Sequence, residues 1–316
     1  MKRTMGVVAS VTVLATLAVS GCGTSTGNKN QNTSSSGAGN TANQATTNTS
    51  SSSSTGDKNK QITIGYMNWT EDVAATFLWK RLLEQKGYKV DLKQLSPGPV
   101  WEGLYGNQVN LFLDTWMPYA DKHYMNKYGS HVNVLGRWYA GNTKEGFVVP
   151  DYMKNIKTVA DLRTHAKEFG GKIVGISPGS IEMGQAKTAI QKYNLPYKLQ
   201  SSSSAAMLTA LKRAYDNKQP IVVTLWSPHW AFAKYHLHYI PDPKNVFGKP
   251  GVIETVATKT WSASHPTAIS WLKNFHLSVK QLGTLEEDIN NHPQDKMAGV
   301  DQWISKNKQL VDAWFK

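Results

Sequence analysis

Three tryptophans sit just past short apolar runs rather than within helical stripes. Trp69 follows Ile64-Gly65-Tyr66-Met67-Asn68, Trp116 follows Leu111-Phe112-Leu113-Asp114-Thr115, and Trp226 follows Ile221-Val222-Val223-Thr224-Leu225. One such residue alone reads equally well as a hinge or a rim. Three at related places point to a cage for a cation. A quaternary ammonium has no N–H to donate, so hydrogen bonding cannot select it. The negative face of an indole attracts it at about 0.5–2 kcal/mol per ring, and rigid rings lose little freedom on binding.

The segment Gly175-Ile176-Ser177-Pro178-Gly179-Ser180 supplies the complementary chemistry. It follows a strand and opens a helix with Ile181-Glu182-Met183-Gly184. The free N–H groups of a helix N-terminus bind anions such as a carboxylate, and Gly179 has no Cβ to obstruct close approach. The same stretch matches the nucleophile elbow Gly-x-Ser-x-Gly, with Ser177 as nucleophile of a secreted serine hydrolase. The residue after that serine is Pro178, which has no N–H for an oxyanion hole, so this alternative is disfavoured. His229, His236 and His238 lie close together, but no cysteine and only Asp242 among acids accompanies them. They read as surface or packing residues rather than a metal site. Nothing in the pattern calls for a metal or an organic cofactor.

The elements that must position these residues form a pattern written twice. Short β-type runs (Ile62–Ile64, Lys89–Leu92, Leu111–Leu113, Ile173-Val174, Ile221–Val223) alternate with segments of helical length, which predicts α/β units with mainly parallel strands. Ile64-Gly65 opens one unit and Trp116-Met117-Pro118 closes it. Val174-Gly175 and Trp226-Ser227-Pro228 repeat this 110 positions later, with Tyr105-Gly106-Asn107 matched by Tyr215-Asp216-Asn217. Two related lobes follow, each with a loop after its first strand and a Trp-x-Pro after a later one. Such loops mark the ligand-binding edge of a parallel sheet, and two edges facing each other make a cleft. From about Phe247 the chain reads as a strand (Val252–Ala257) and amphipathic helices, one opened by His265-Pro266. Trp271, Trp303 and Trp314 fall within apolar periodicity there and belong to the core. This portion is expected to return to the first lobe. Lobe one is then 61–148 plus 247–316, and lobe two, 149–246, is an insertion.

The first sixty residues read as an address and a tether. Lys2 and Arg3 precede an apolar run from Met5 to Val19, the layout of an export signal over residues 1–21. Val19-Ser20-Gly21-Cys22 has the form of a bacterial lipobox, with Cys22, the single cysteine of the 316-residue chain, as the lipidated residue. Residues 23–60 contain no Val, Ile, Leu, Met or aromatic residue, so they cannot offset their ordering entropy by burial. As a coil, residues 22–60 would span roughly 35 Å. From Gln61 onward, thirty basic residues face twenty-one acidic ones without a run of like charge. That balance reads as a solvated surface rather than a nucleic-acid face.

Together these motifs resemble the substrate-binding proteins of glycine betaine/proline-betaine ABC importers, over essentially all of 61–316. The resemblance rests on Ile64–Trp69, Asp114–Pro118, Val174–Ser180, Ser203-Ser204-Ala205-Ala206-Met207 and Trp226-Ser227-Pro228-His229-Trp230. It implies a two-lobed periplasmic-binding-protein-like α/β fold closing on its ligand. The Trp cage falls on Trp69, Trp116 and Trp226, and the carboxylate-binding amides on Ile181 and Glu182. It further implies a non-enzymatic, high-affinity binder of a quaternary-ammonium compatible solute, glycine betaine first, for osmoprotection. Carnitine, choline and proline betaine are the alternatives in the same fold. The protein would act as a monomer, lipid-anchored on the outer face of the cytoplasmic membrane, delivering to permease subunits. Two departures stand out. The family's turn often reads Asp-Pro-Gly-x-Gly-Ile, whereas here it is Ser177-Pro178-Gly179-Ser180-Ile181-Glu182. Some members carry a His five residues after the Trp-x-Pro tryptophan; here that residue is Asp121, with His123 nearby, and an acid there favours a more cationic or hydroxylated ligand.

Overall fold

A computed structural model describes residues 56–316; the signal segment, Cys22 and nearly all of the tether lie outside the described residues. The first lobe begins with β1 (Gln61–Tyr66), α1 (Thr70–Gln85), β2 (Lys89–Gln94), α2 (Pro97–Tyr105), β3 (Leu111–Met117), α3 (Lys122–Tyr128) and β4 (Val132–Arg137). The second contains β5 (Lys144–Pro150), β6 (Lys172–Val174), α4 (Ile181–Lys192), β7 (Lys198–Gln200), α5 (Ser204–Asp216), β8 (Val223–Ser227), α6 (Ala231–Lys234) and β9 (Leu237–Tyr239). The chain then returns through β10 (Val252–Thr258) to five helices, α7 (Lys259–Ser264), α8 (Pro266–Asn274), α9 (Val279–Asn290), α10 (Lys296–Lys306) and α11 (Lys308–Trp314).

Each lobe is built on a five-stranded sheet, ordered β2-β1-β3-β10-β4 and β7-β6-β8-β5-β9. The two orders are the same pattern, as the repeat of 110 residues requires. In each sheet the three strands of the repeat run parallel, and the strand arriving from the other lobe is antiparallel to both its neighbours. Four strands of each sheet thus run in one direction, and β10 or β5 opposes them because it enters from the opposite side instead of returning through a helix. The first crossing also comes earlier than the 148/149 boundary expected from sequence. Lys144 to Val148 pair with Ser227 to Val223, so the crossing lies between Arg137 and Lys144. The two crossing segments are tied by a bridge between Thr143 and Gly251, the Thr143 N–H donating to the Gly251 carbonyl at 3.0 Å.

Packing follows the apolar pattern. In lobe one, α1 buries Leu78, Trp79, Leu82 and Leu83 against the C-terminal helices. Trp79 stacks on Trp314 at 6.3 Å and meets Phe275 edge-on at 5.5 Å. Trp303 and Trp314 are fully buried, while Trp271 is half-buried against Phe315. Lobe two has its own core of Phe147, Val149, Ile173, Val222 and Tyr193. Burial of this size stabilises at roughly 25 cal/mol per Å² of apolar surface, which leaves the loops at the sheet edges free to carry the ligand chemistry.

Candidate functional site

Trp69 precedes α1 as its N-terminal cap residue, in an extended conformation. The turn holding it is closed by Asp72, whose Oδ2 accepts from the Met67 N–H at 2.7 Å and whose Oδ1 accepts from the Thr76 hydroxyl at 3.1 Å. Trp116 ends β3. Its backbone N–H donates to Asp121 at 2.7 Å and its indole N–H to Asp114 at 2.7 Å. Trp226 is the last residue but one of β8, paired in register with Glu145 of β5, and its indole N–H donates to Glu71 at 2.8 Å. The bonds following Trp116 and Trp226, Met117–Pro118 and Ser227–Pro228, are both cis, a further match between the repeats.

The three tryptophans converge on one pocket, together with Pro97, Ile176, Ser180, Ile181 and Glu182. The Trp69 and Trp226 ring centroids are 6.2 Å apart with planes tilted by 56°, and Trp116 and Trp226 are buried. The cavity they leave is about 30 Å³. The indole edges of Trp116 and Trp226 are thus held by carboxylates while their faces serve the pocket. Ser180 caps α4, its hydroxyl accepting from the Met183 N–H at 3.3 Å. The amides of Ile181 and Glu182, in the first turn, point out of the helix with no intrahelical acceptor. Every residue predicted from sequence for the ligand therefore lines this one space. Cys22 lies outside the described residues.

What sequence reasoning missed is the ring of acids around the indoles. Glu71, Asp121, Glu145 and Glu182 line the pocket, and Asp72 and Asp114 stand behind it, both fully buried. Burial pushes the carboxyls of Glu71, Asp72, Asp114 and Glu182 well above the usual range, and neighbouring carboxylates push them further. By the same desolvation Asp121 is raised to about 7 and Glu145 to about 8. One oxygen each of Glu71, Asp114 and Glu182 is buried without a hydrogen-bond partner. Such an environment lacks positive charge, and a cation would restore the ionised forms. The legible signal was Asp114, a lone charge inside the apolar strand Leu111–Met117. Asp121, flagged as a departure from the family pattern, does join the pocket, whereas His123 is exposed and packs on Tyr124.

The remaining candidates fall elsewhere. His229 is buried beside Trp226, its ring 4.9 Å away and edge-on. Its Nδ1 accepts from the Ala231 N–H at 3.0 Å, and desolvation pushes its pKa down to about 3. His238 contacts Asp151 at 2.8 Å. Ser177 lies on the β6–α4 turn, and among the described residues no hydrogen bond joins its hydroxyl to a histidine.

Similar folds are known. Lactococcal OpuAC, in its closed-liganded conformation complexed with glycine betaine, is 33% identical with a TM-score of 0.75, over 81% of this chain and all of that one. The glycine betaine, L-proline binding protein ProX of Borrelia burgdorferi is 28% identical with a TM-score of 0.76, over 81% of this chain and 96% of that one. Among curated relatives, the glycine betaine/carnitine transport binding protein GbuC of Listeria monocytogenes is 36% identical over 145 residues, 45% of this chain. That match takes in 48% of the relative, so the chain aligns with about half its length. Residues 60–306 match the family described as the substrate binding domain of ABC-type glycine betaine transport systems, and the chain belongs to that family.

Proposed function

We propose that this protein captures a quaternary-ammonium zwitterion outside the cytoplasmic membrane, glycine betaine foremost, and presents it to the permease subunits of an ABC importer. The observation that carries this reading is the convergence of Trp69, Trp116 and Trp226 on one small pocket beside the first turn of α4. The ammonium enters between the rings, each contributing about 0.5–2 kcal/mol. The carboxylate meets the amides of Ile181 and Glu182, where the helix N-terminus favours negative charge. Both lobes supply walls, so binding favours the closed arrangement that a permease would recognise. Cys22 is the proposed lipid anchor, the following residues its tether, and the binding unit a monomer. No bond of the ligand is made or broken in this scheme.

The acidic lining supports a second reading, a net cation such as choline, because Asp121 stands where a family histidine would otherwise face the ligand. Calorimetric titration with glycine betaine, proline betaine, carnitine and choline tests both. The expected result is saturable one-to-one binding, strongest for glycine betaine, with ligand recovered unchanged. Preference for choline would move the assignment to the second reading, and loss of ligand with product formation would overturn the transport role.

A further inference from the structure

A second and larger space between the lobes, a cavity of about 270 Å³, shares a wall with the cage. Trp69 lines both. The second chamber is completed by Trp230 and by Ser204 and Ala205 from lobe two, and by Glu286 and Lys296 from lobe one. Its parts repeat those of the cage. Two indoles provide aromatic walls. Ser204 and Ala205 begin the 13-residue α5, capped by Ser203, so their amides have no intrahelical acceptor. Glu286 on α9 provides a carboxylate that is 4% exposed.

Glu286 points to an occupant. Its Oε1 is buried with no hydrogen-bond partner, and among the described residues no ion pair reaches it. Burial raises its carboxyl to about 8, partly opposed by the Trp230 backbone N–H. A buried carboxyl oxygen with no partner is costly unless a cation or a donor meets it. Lys296 makes no ion pair with it, its ammonium lying over the Phe77 ring at 5.6 Å from the centroid. A carboxyl group, two indoles, helix amides and a lysine around one space fit a small molecule that carries both charges.

We propose that this chamber is a second, weaker subsite for a zwitterionic ammonium carboxylate. The ammonium sits against Glu286, Trp69 and Trp230, and the carboxylate meets the N-terminus of α5 and Lys296. Its ligand class rests on the betaine reading of the cage, but its occupancy does not depend on the cage being functional.

The test titrates the whole chain with glycine betaine, counting bound molecules by native mass spectrometry and following heat by calorimetry. The expected result is one equivalent bound first and a second at concentrations about a hundredfold higher. Glu286→Gln should remove the second equivalent and leave the first within about twofold. Ala205→Trp, at an exposed position, should do the same by filling the chamber, so the outcome does not hang on a buried substitution. In Trp116→Ala/Trp226→Ala, which lacks two cage walls but none of the chamber, the weak event should persist alone. A wild-type chain with no tight event but a weak one sensitive to Glu286→Gln would sink the cage reading and keep the chamber. A single equivalent at saturation, or a second one indifferent to both chamber variants, would overturn the subsite.

Discussion

The indole N–H of Trp226 donates a 2.8 Å hydrogen bond to Oε2 of Glu71, joining residues 155 positions apart on opposite lobes. A cage ring of lobe two is thereby oriented by the first turn of α1 in lobe one. Ring placement and lobe closure become one event. The bond exists only when the lobes are together, and a ligand held against Trp226 would strengthen the state in which Oε2 of Glu71 is paired.

Removing that acceptor should therefore weaken binding, both by loosening the Trp226 ring and by deleting one of the acids that line the pocket. Glu71→Ala leaves a buried indole N–H unpaired, a loss of about 1–3 kcal/mol. Calorimetry should read this as roughly fivefold to a hundredfold weaker affinity. Glu71→Gln keeps an acceptor carbonyl and should stay within about tenfold of wild type. If Ala binds as tightly as wild type, the bond plays no part in holding the closed state.

The cage itself is tested ring by ring. Single Trp→Ala changes at Trp69, Trp116 or Trp226 each delete a face worth about 0.5–2 kcal/mol and should weaken betaine binding threefold to thirtyfold. Phe should restore part of the loss, and Leu little despite its apolarity. Trp303→Phe and Trp314→Phe serve as controls, since both rings are fully buried among the C-terminal helices and should lower thermal stability while leaving affinity alone. Equal rescue by Leu and Phe would mean that the rings act only as apolar walls.

Much of this was legible beforehand because it is local. The 110-residue repeat reappears as two sheets of one topology, and Trp69, Trp116 and Trp226 each end up where a strand-to-loop junction puts them. The expected 148/149 boundary cuts β5 because Phe147-Val148-Val149 has strand character in either lobe, and only its pairing with β8 decides. The acid ring was hidden for a related reason. Glu71 and Asp72 look like ordinary first-turn acids on a helix, and nothing local reveals that Glu71 is sealed by Trp226 from another lobe. Their burial is a product of closure, a contact of high sequence separation.

That buried ring makes both stability and binding depend on pH, with opposite signs. Asp121 at about 7 and Glu145 at about 8 lie above their unfolded values near 4. Between about pH 4 and 8 the folded state holds more protons than the unfolded one, so stability is greatest below that window and falls as pH rises through it. An ammonium in the cage favours the ionised carboxylates, so its binding releases protons and tightens over the same range. Thermal melts of the empty protein should drop from about pH 5 to 8.5, while the shift produced by ligand grows. Titrations in buffers of different ionisation enthalpy should reveal the released protons, and heats that do not change with buffer would contradict the linkage.

The last prediction concerns the crossing between lobes, where opening must be absorbed. Gly251 sits at the entry to β10, bridged to Thr143 on the other crossing segment, and its N–H donates to the Thr143 hydroxyl at 3.0 Å. A Cβ there would run into the carbonyl oxygen of Met117, main chain that cannot swing aside as a side chain would. Met117 follows Trp116 directly, so the displacement reaches a cage ring. Gly251→Ala should cost about 1–3 kcal/mol of stability and loosen betaine binding, although residue 251 does not line the cage. Thr143→Ser keeps the hydroxyl acceptor and should be nearly silent. Small-angle scattering, with and without ligand, separates the causes. A Gly251→Ala chain that still compacts on adding betaine, with wild-type affinity, would show that this junction is not a constraint on closure.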